Sequence, residues 1–157
     1  MTIRQAQTKD IPKVMDLLSQ VLEVHAAVRP DIFVPGTTKY SPAELEAMFQ
    51  SEKTPVYVAV NDADDVLGYA FCQWRETPKT ALFVPFASLY IDDLCVDASV
   101  RGQHIGQALV DYVKAEAIKR GCYEVTLNVW AGNDSAVRFY EALGFRPQKA
   151  TMELILP

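Results

Sequence analysis

The sequence predicts a mixed α/β fold of the α+β type: one domain around a central mixed sheet of about six or seven strands, with helices on both faces. Three observations carry this. The chain has 157 residues, a length that suits one domain. Half of its residues are hydrophobic, enough for a packed core without staples. Apolar periodicities of two and of 3.6 alternate along it in the order β-α-α-β-β-β-α-β-α-β.

The elements follow in turn. Residues 2–6 read as a short strand. Thr8 or Asp10 can cap the helix behind it, whose stripe runs through Ile11, Val14, Met15, Leu18, Val21, Leu22 and His25. His25 ends that stripe, either as a helix-end residue or facing a pocket. Pro30, Pro35 and Gly36 make residues 26–40 a loop, in which Phe33 and Val34 pack down. Ser41-Pro42-Ala43-Glu44 is a helix start, with a serine cap, a proline in the first turn and a glutamate that reaches back; Leu45, Met48 and Phe49 form its inner face. Residues 56–60 and 66–74 read as a hairpin across the polar turn at 61–65. A proline-bearing loop at 76–85 leads to a strand at 88–96. The next helix carries Ile105, Leu109, Val113 and Ile118 on one face and stops at Gly121, after Lys119 and Arg120. Residues 123–129 alternate as a strand. Asn133 or Asp134 caps a short helix with Ala136, Phe139, Tyr140 and Leu143 on one face, ended by Gly144. Residues 150–156 complete the sheet as a final strand. The strand–helix–strand run from 88 to 129 predicts a right-handed crossover between parallel strands.

Composition narrows the function. A net charge of −5 disfavours a general nucleic-acid binder, since phosphate backbones reward basic surfaces. The three cysteines, Cys72, Cys95 and Cys122, lie in or beside apolar runs and fit no metal-ligand spacing. They read as buried free thiols of a reducing compartment. The first residues lack the apolar core of a signal peptide, and no run is long enough to span a membrane. The expectation is a cytoplasmic protein that uses no metal, membrane or nucleic acid.

The stretch Arg101-Gly102-Gln103-His104-Ile105-Gly106-Gln107 joins the 88–96 strand to its helix. On its own it reads two ways. It is a tight turn without a ligand, or a cradle in which unpaired N–H groups of a helix start and two glycines receive a phosphate. It lacks the lysine and hydroxyl residue of a P-loop and the three glycines of a dinucleotide fingerprint.

Leu94-Cys95-Val96, then Arg101 to Gly106, then Asn133-Asp134-Ser135-Ala136-Val137-Arg138-Phe139-Tyr140-Glu141-Ala142-Leu143-Gly144-Phe145 resemble the GNAT superfamily of N-acetyltransferases. The motifs span residues 92–145, and the element order resembles that fold over essentially the whole chain. The resemblance implies acetyl-CoA as cosubstrate, a primary amine as acceptor, direct attack in a ternary complex, and a homodimer as one assembly. It implies a cofactor site made by Leu94, Cys95, Val96, Arg101, Gly102, Gln103, His104, Ile105, Gly106, Gln107 and Asn133. The pantetheine arm would lie along Leu94 to Val96, where two parallel strands splay, and the pyrophosphate on the N–H groups of Gly102 to Gln107. Tyr140 matches the family's general acid, which protonates the departing thiolate; on spacing alone it is one more apolar-face residue beside Phe139. Asn133 matches the residue that helps hold the pantetheine arm, and also reads as a helix cap. His104 stands where the family's pattern has its middle glycine, its side chain either outward or on a phosphate.

The amine must lose a proton before it attacks. Asp92 is the candidate carboxylate, placed by strand alternation on the face of Leu94 and Val96, with Asp93 on the other. His25, Arg29, Phe33, Tyr40 and the segment after Phe145 are expected on the acceptor side. A non-catalytic domain that binds acetyl-CoA as a sensor is the alternative from another class.

Overall fold

A computed structural model describes all of residues 1–157. Five strands form one sheet in sequence order: β1 (Thr2–Gln5), β2 (Val56–Val60), β3 (Val66–Glu76), β4 (Ala87–Val96) and β5 (Glu124–Leu127). The first three pairings are antiparallel and β4–β5 is parallel. The parallel pair is the predicted crossover, with helix α3 (Ile105–Lys119) between its strands.

Helices cover both faces. On one, α1 (Ile11–Val28) and α2 (Pro42–Phe49) bury Val14, Leu17, Leu18, Leu45 and Phe49 against Val56, Val58, Tyr69 and Phe71. On the other, α3 buries Ile105, Leu109, Val113 and Ala117 against Tyr57, Ala59, Ala70, Leu89 and Ile91. Alternate residues of each central strand therefore feed opposite cores, as a period of two requires. The predicted start of α2 is present in full. Ser41 Oγ accepts from the Glu44 N–H at 3.3 Å, and Glu44 Oε2 accepts from the Ser41 N–H at 2.7 Å. Asp10 precedes α1 and is 4% exposed; its carboxylate takes two Arg4 guanidinium N–H groups at 2.7 and 3.0 Å and the Gln7 N–H at 2.8 Å.

One predicted element is absent. Residues 150–156 are not a strand, and the sheet has five strands rather than six or seven. No backbone hydrogen bond involves residues 146–157. Met152, Leu154, Ile155 and Leu156 lie 72–89% exposed. The alternation that predicted a strand is real, but a strand also needs a partner, which periodicity does not supply. β5 is likewise shorter than the predicted 123–129, because β4 leaves it after Leu127.

Candidate active site

The site begins where β4 and β5 part. Their parallel pairing runs from Ser88↔Glu124 to Ile91↔Leu127 and stops. β4 continues for Asp92 to Val96 with only β3 beside it. One side of this stretch thus presents backbone groups that no strand of the sheet uses, open to an extended amide-bearing ligand.

An irregularity at the same place redirects the side chains. Phe71 pairs with Asp93 and Cys72 with Ile91, so Asp92 is an extra residue in β4. Such a bulge resets the alternation. Leu94 and Val96 still pack towards α3, and Cys95 joins the α1–α2 core. Asp92 does not share the face of Leu94 and Val96, contrary to the alternation argument. Its Oδ2 accepts from the Tyr40 hydroxyl at 2.8 Å and from Lys39 Nζ at 2.7 Å. Tyr40 stacks on Phe71, a residue of the α1–α2 core, with ring centroids 5.5 Å apart. Both aspartates therefore point to that side. Asp93 is buried, with the Tyr69 hydroxyl donating to it at 3.0 Å. Burial pushes its carboxyl above the usual range, against the opposing pull of Lys39, Tyr69 and His25.

Cys95 contributes backbone only. Its thiol is 4% exposed and burial pushes it up to about 12. Cys72 is equally enclosed, whereas Cys122 is only half-buried, contrary to the expectation for all three.

The loop after β4 is held by side chains from α1. Asp97 accepts from the Ser99 N–H at 2.9 Å and pairs with Lys13, and Gln20 Oε1 accepts from the Ala98 N–H at 3.1 Å. The Lys13 contact comes first among the causes that hold the Asp97 carboxyl down, to about 2. Arg101 Nε donates to the Val96 carbonyl at 3.4 Å. The backbone then turns through positive φ twice, +81° at Gly102 and +59° at His104, and enters α3. The first intrahelical bond runs from the Ala108 N–H to the His104 carbonyl. The N–H groups of Ile105, Gly106 and Gln107 are thus the unpaired donors at the positive end of the α3 dipole. Ile105 itself is 2% exposed and pins that end to the core. Gln103, His104 and Gln107 are exposed.

Gly106 has a further role. A Cβ there would meet the tip of the Phe139 ring at 3.1 Å, so the missing side chain makes room for α4 (Asp134–Ala142). Gly68 has a role that no motif in the sequence indicates. A Cβ there would lie 2.7 Å from the Cys95 carbonyl oxygen, so β3 can approach the open stretch of β4 only as glycine. A glycine inside a strand pattern was the available signal.

Helix α4 brings in the remaining residues. Asn133 caps it, with Oδ1 accepting from the Ala136 N–H at 3.4 Å. Tyr140 lies between Phe139 and Phe145, at centroid distances of 5.0 and 5.6 Å. Burial, and next the charge of Asp93, raise its hydroxyl pKa well above the ordinary tyrosine value. The hydroxyl is therefore a proton donor throughout the neutral range.

Of the residues expected on the acceptor side, the structure brings together His25, Phe33 and Arg29, joined by Trp130. Phe33 packs on His25 at 5.2 Å and edge-on against Trp130 at 5.5 Å; the Arg29 guanidinium lies over Trp130 at 5.5 Å. Tyr40 sits apart from that group, on Asp92. Trp130 lies just after β5, and no motif in the sequence singles it out. No group of three or more His, Cys, Asp or Glu side chains is placed to hold a metal ion, and no helix is long and apolar enough to cross a membrane.

A forked parallel pair, a helix N-terminus with free donors and a half-buried tyrosine on the following helix make up a candidate site for acyl transfer. In agreement, residues 21–145 match the acetyltransferase (GNAT) family, and the chain belongs to that family. A mutant of the BH1408 protein of Bacillus halodurans has the same fold at a TM-score of 0.95; it is 34% identical, and the alignment covers 100% of both chains. Peptidyl-lysine N-acetyltransferase YjaB of Escherichia coli is 31% identical over 105 residues, 66% of this chain and 58% of that protein. Glucosamine 6-phosphate N-acetyltransferase of Trypanosoma brucei brucei is 37% identical over 67 residues, 43% of this chain and 44% of that enzyme. The chain thus spans only about half the length of these two curated relatives.

Proposed function

We propose that the chain is an acetyl-CoA-dependent N-acetyltransferase that transfers an acetyl group to a primary amine by direct attack in a ternary complex. The observation that carries this is the continuity of the fork at Asp92–Val96 with the unpaired N–H groups of Ile105, Gly106 and Gln107. One end suits amides and the other a pyrophosphate, the two chemistries that CoA joins in one molecule. Hydrogen bonds to a charged group contribute about 1.5–3 kcal/mol each, so a few anchor the ligand. The acceptor class draws support from two relatives, whose names specify peptidyl-lysine and glucosamine 6-phosphate, both primary amines.

Acetyl-CoA supplies an activated acyl group and a thiolate leaving group. The chain's residues do the rest. Backbone N–H groups of Leu94 to Val96 hold the pantetheine amides and polarise the thioester carbonyl, where one donor is worth roughly 3–4 kcal/mol of barrier. Arg101, Gly102, Gln103 and His104 shape the turn, and Ile105, Gly106 and Gln107 donate to the pyrophosphate. Asn133 keeps its Nδ2 for the arm while Oδ1 caps α4. Asp92, held by Lys39 and Tyr40, takes the proton from the incoming ammonium. Tyr140 gives its proton to the departing sulfur, and the negative field of Asp93 keeps that proton in place until then.

Release of CoA across a panel of amines tests the reading. Turnover with at least one amine is expected, and Tyr140→Phe lowers kcat by about 10²–10⁴ while the Kd for acetyl-CoA is kept. Binding of acetyl-CoA without release to any amine class contradicts transfer and leaves the sensor. An unchanged kcat in Tyr140→Phe removes the acid role.

A further inference from the structure

We propose that Lys39 is an internal stand-in for the acceptor: its ammonium occupies an alkylammonium seat formed by Asp92 and Tyr40, and the acceptor amine enters by displacing it. The inference deepens the proposed function and rests on it for one point, that the displacing amine is the acceptor.

The seat and its occupant differ in how they are held. Asp92 lies in β4 between Ile91 and Asp93, both paired with β3, and its side chain is 14% exposed. Tyr40 stacks on Phe71 at 5.5 Å and donates its hydroxyl to Asp92 Oδ2 at 2.8 Å. The next residue, Ser41, caps α2. Both halves of the seat are thus anchored to the sheet and to α2. Lys39 belongs to the irregular segment between α1 and α2. Its side chain is 43% exposed, and its ammonium makes one hydrogen bond, to Asp92 Oδ2 at 2.7 Å. An ion pair with so exposed a partner contributes little to stability, so Lys39 can leave while the seat stays in place.

Once Lys39 has left, the seat calls for another cation. Asp92 and the buried Asp93 are neighbours on one side of the sheet. Burial raises the Asp93 carboxyl, and Lys39 is the strongest of the groups that oppose this, ahead of Tyr69 and His25. The charges that act on the Tyr40 hydroxyl, those of Asp92, Asp93 and Glu44, are all negative. A half-buried carboxylate without its cation is costly, and an incoming ammonium restores the pair. The contacts also state what the seat recognises. The Lys39 Nζ lies 5.4 Å from the centre of the Tyr40 ring, so the seat offers an ammonium both a carboxylate oxygen and an aromatic face. The group it holds is an ammonium at the end of an unbranched four-carbon stem. The acceptor that fits is therefore a primary amine on a flexible alkyl chain. Both hydrogen bonds to Asp92 fall on Oδ2, so Oδ1 remains free to receive the proton of that amine.

The probe is n-butylammonium chloride, which carries the ammonium of lysine on an equal stem. It is titrated into the isotope-labelled full chain without acetyl-CoA, and backbone amide shifts are followed by NMR. Lys39→Met keeps an unbranched side chain and loses the charge. In that variant the shifts of Tyr40 and Asp92 are expected to saturate with a Kd about fivefold below the parent's. Lys39→Arg retains the charge and is expected to stay near the parent's value. Tetramethylammonium chloride has no N–H to donate and is expected to give no saturable shift at these residues. Equal Kd values in the parent and Lys39→Met overturn the proposal, as does the absence of saturable binding in both. So does butylammonium binding that survives Asp92→Asn in the Lys39→Met chain. A second arm is kinetic. With an amine that the chain acetylates, Lys39→Met is expected to lower KM about fivefold. A KM that rises or stays the same overturns the stand-in and leaves acetyl transfer intact. If no amine is turned over, acetyl transfer fails, and the binding arm alone decides the seat.

Discussion

At His104 the backbone adopts φ +59°, a left-handed conformation that costs an L-residue about 1–2 kcal/mol. The family's pattern has glycine at this position, and the structure supplies the reason: the turn into α3 needs the left-handed region. The His104 side chain makes no cap hydrogen bond in return. His104→Gly therefore relieves strain, partly offset by the roughly 0.5–1 kcal/mol that glycine loses on folding. The expected outcome is a melting temperature unchanged or raised by a few degrees in a thermal melt. A clear fall would assign His104 a stabilising contact. Asp97 makes a prediction at the same scale. Its folded carboxyl lies near 2, below the unfolded value of about 3.9, so its stabilisation is complete above the unfolded value and is lost as pH falls towards 2. In urea titrations, the gap between the parent and Asp97→Asn should be full at about pH 6, about half as large at about pH 3, and closed below about pH 2. A gap that does not narrow between about pH 5 and pH 2 contradicts the charge pairing with Lys13.

Among the elements, the β3–β4 pair positions the chemistry. Gly68 lets β3 come close where β4 leaves β5, and a methyl group there meets a backbone carbonyl 2.7 Å away, with no flexible atom to yield. Gly68→Ala is expected to cost about 1–3 kcal/mol in urea unfolding. It should also weaken acetyl-CoA binding about tenfold by calorimetry, because the displaced strand carries Leu94 to Val96. Unchanged values for both would mean that β4 is not held by this contact. The bulge at Asp92 shows what the sequence could and could not disclose. Alternation places Leu94 and Val96 together on one face, as observed, and both pack towards the α3 core. It misplaced Asp92, because one extra residue inverts the alternation and no residue type signals it. The turn into α3 was legible from Gly102 and Gly106, but the dependence of Gly106 on Phe139 is a long-range contact. The same holds for the Asp93–Tyr69 pair, 24 residues apart, and for the stacking of Phe33 on Trp130.

The whole molecule divides into a closed part and an open part. Up to Ala117 the chain builds two cores on either side of the sheet; beyond it, β5, α4 and the last residues bury nothing completely. The sequence predicts both the strand order and a last strand at 150–156, and only the former is realised. Strand periodicity specifies a preference, whereas pairing needs an edge. The proposed active site lies on the boundary between the two parts: β4 and α3 offer backbone groups for the cofactor from the closed side, and α4 carries Tyr140, with Asn133 capping it, from the open one. Its geometry thus depends on α4 packing against Gly106 and on Phe145 packing under Tyr140.

The proposed function rests on the fork at β4 and the start of α3 together seating acetyl-CoA. Backbone amide chemical shifts followed by NMR during titration with acetyl-CoA test it most directly. Saturable shifts are expected to concentrate at Leu94 to Val96, Gly102 to Gln107 and Asn133, with β1 and β2 unmoved. Saturable shifts elsewhere, or amides at the α3 start that stay in place under millimolar acetyl-CoA, would contradict it.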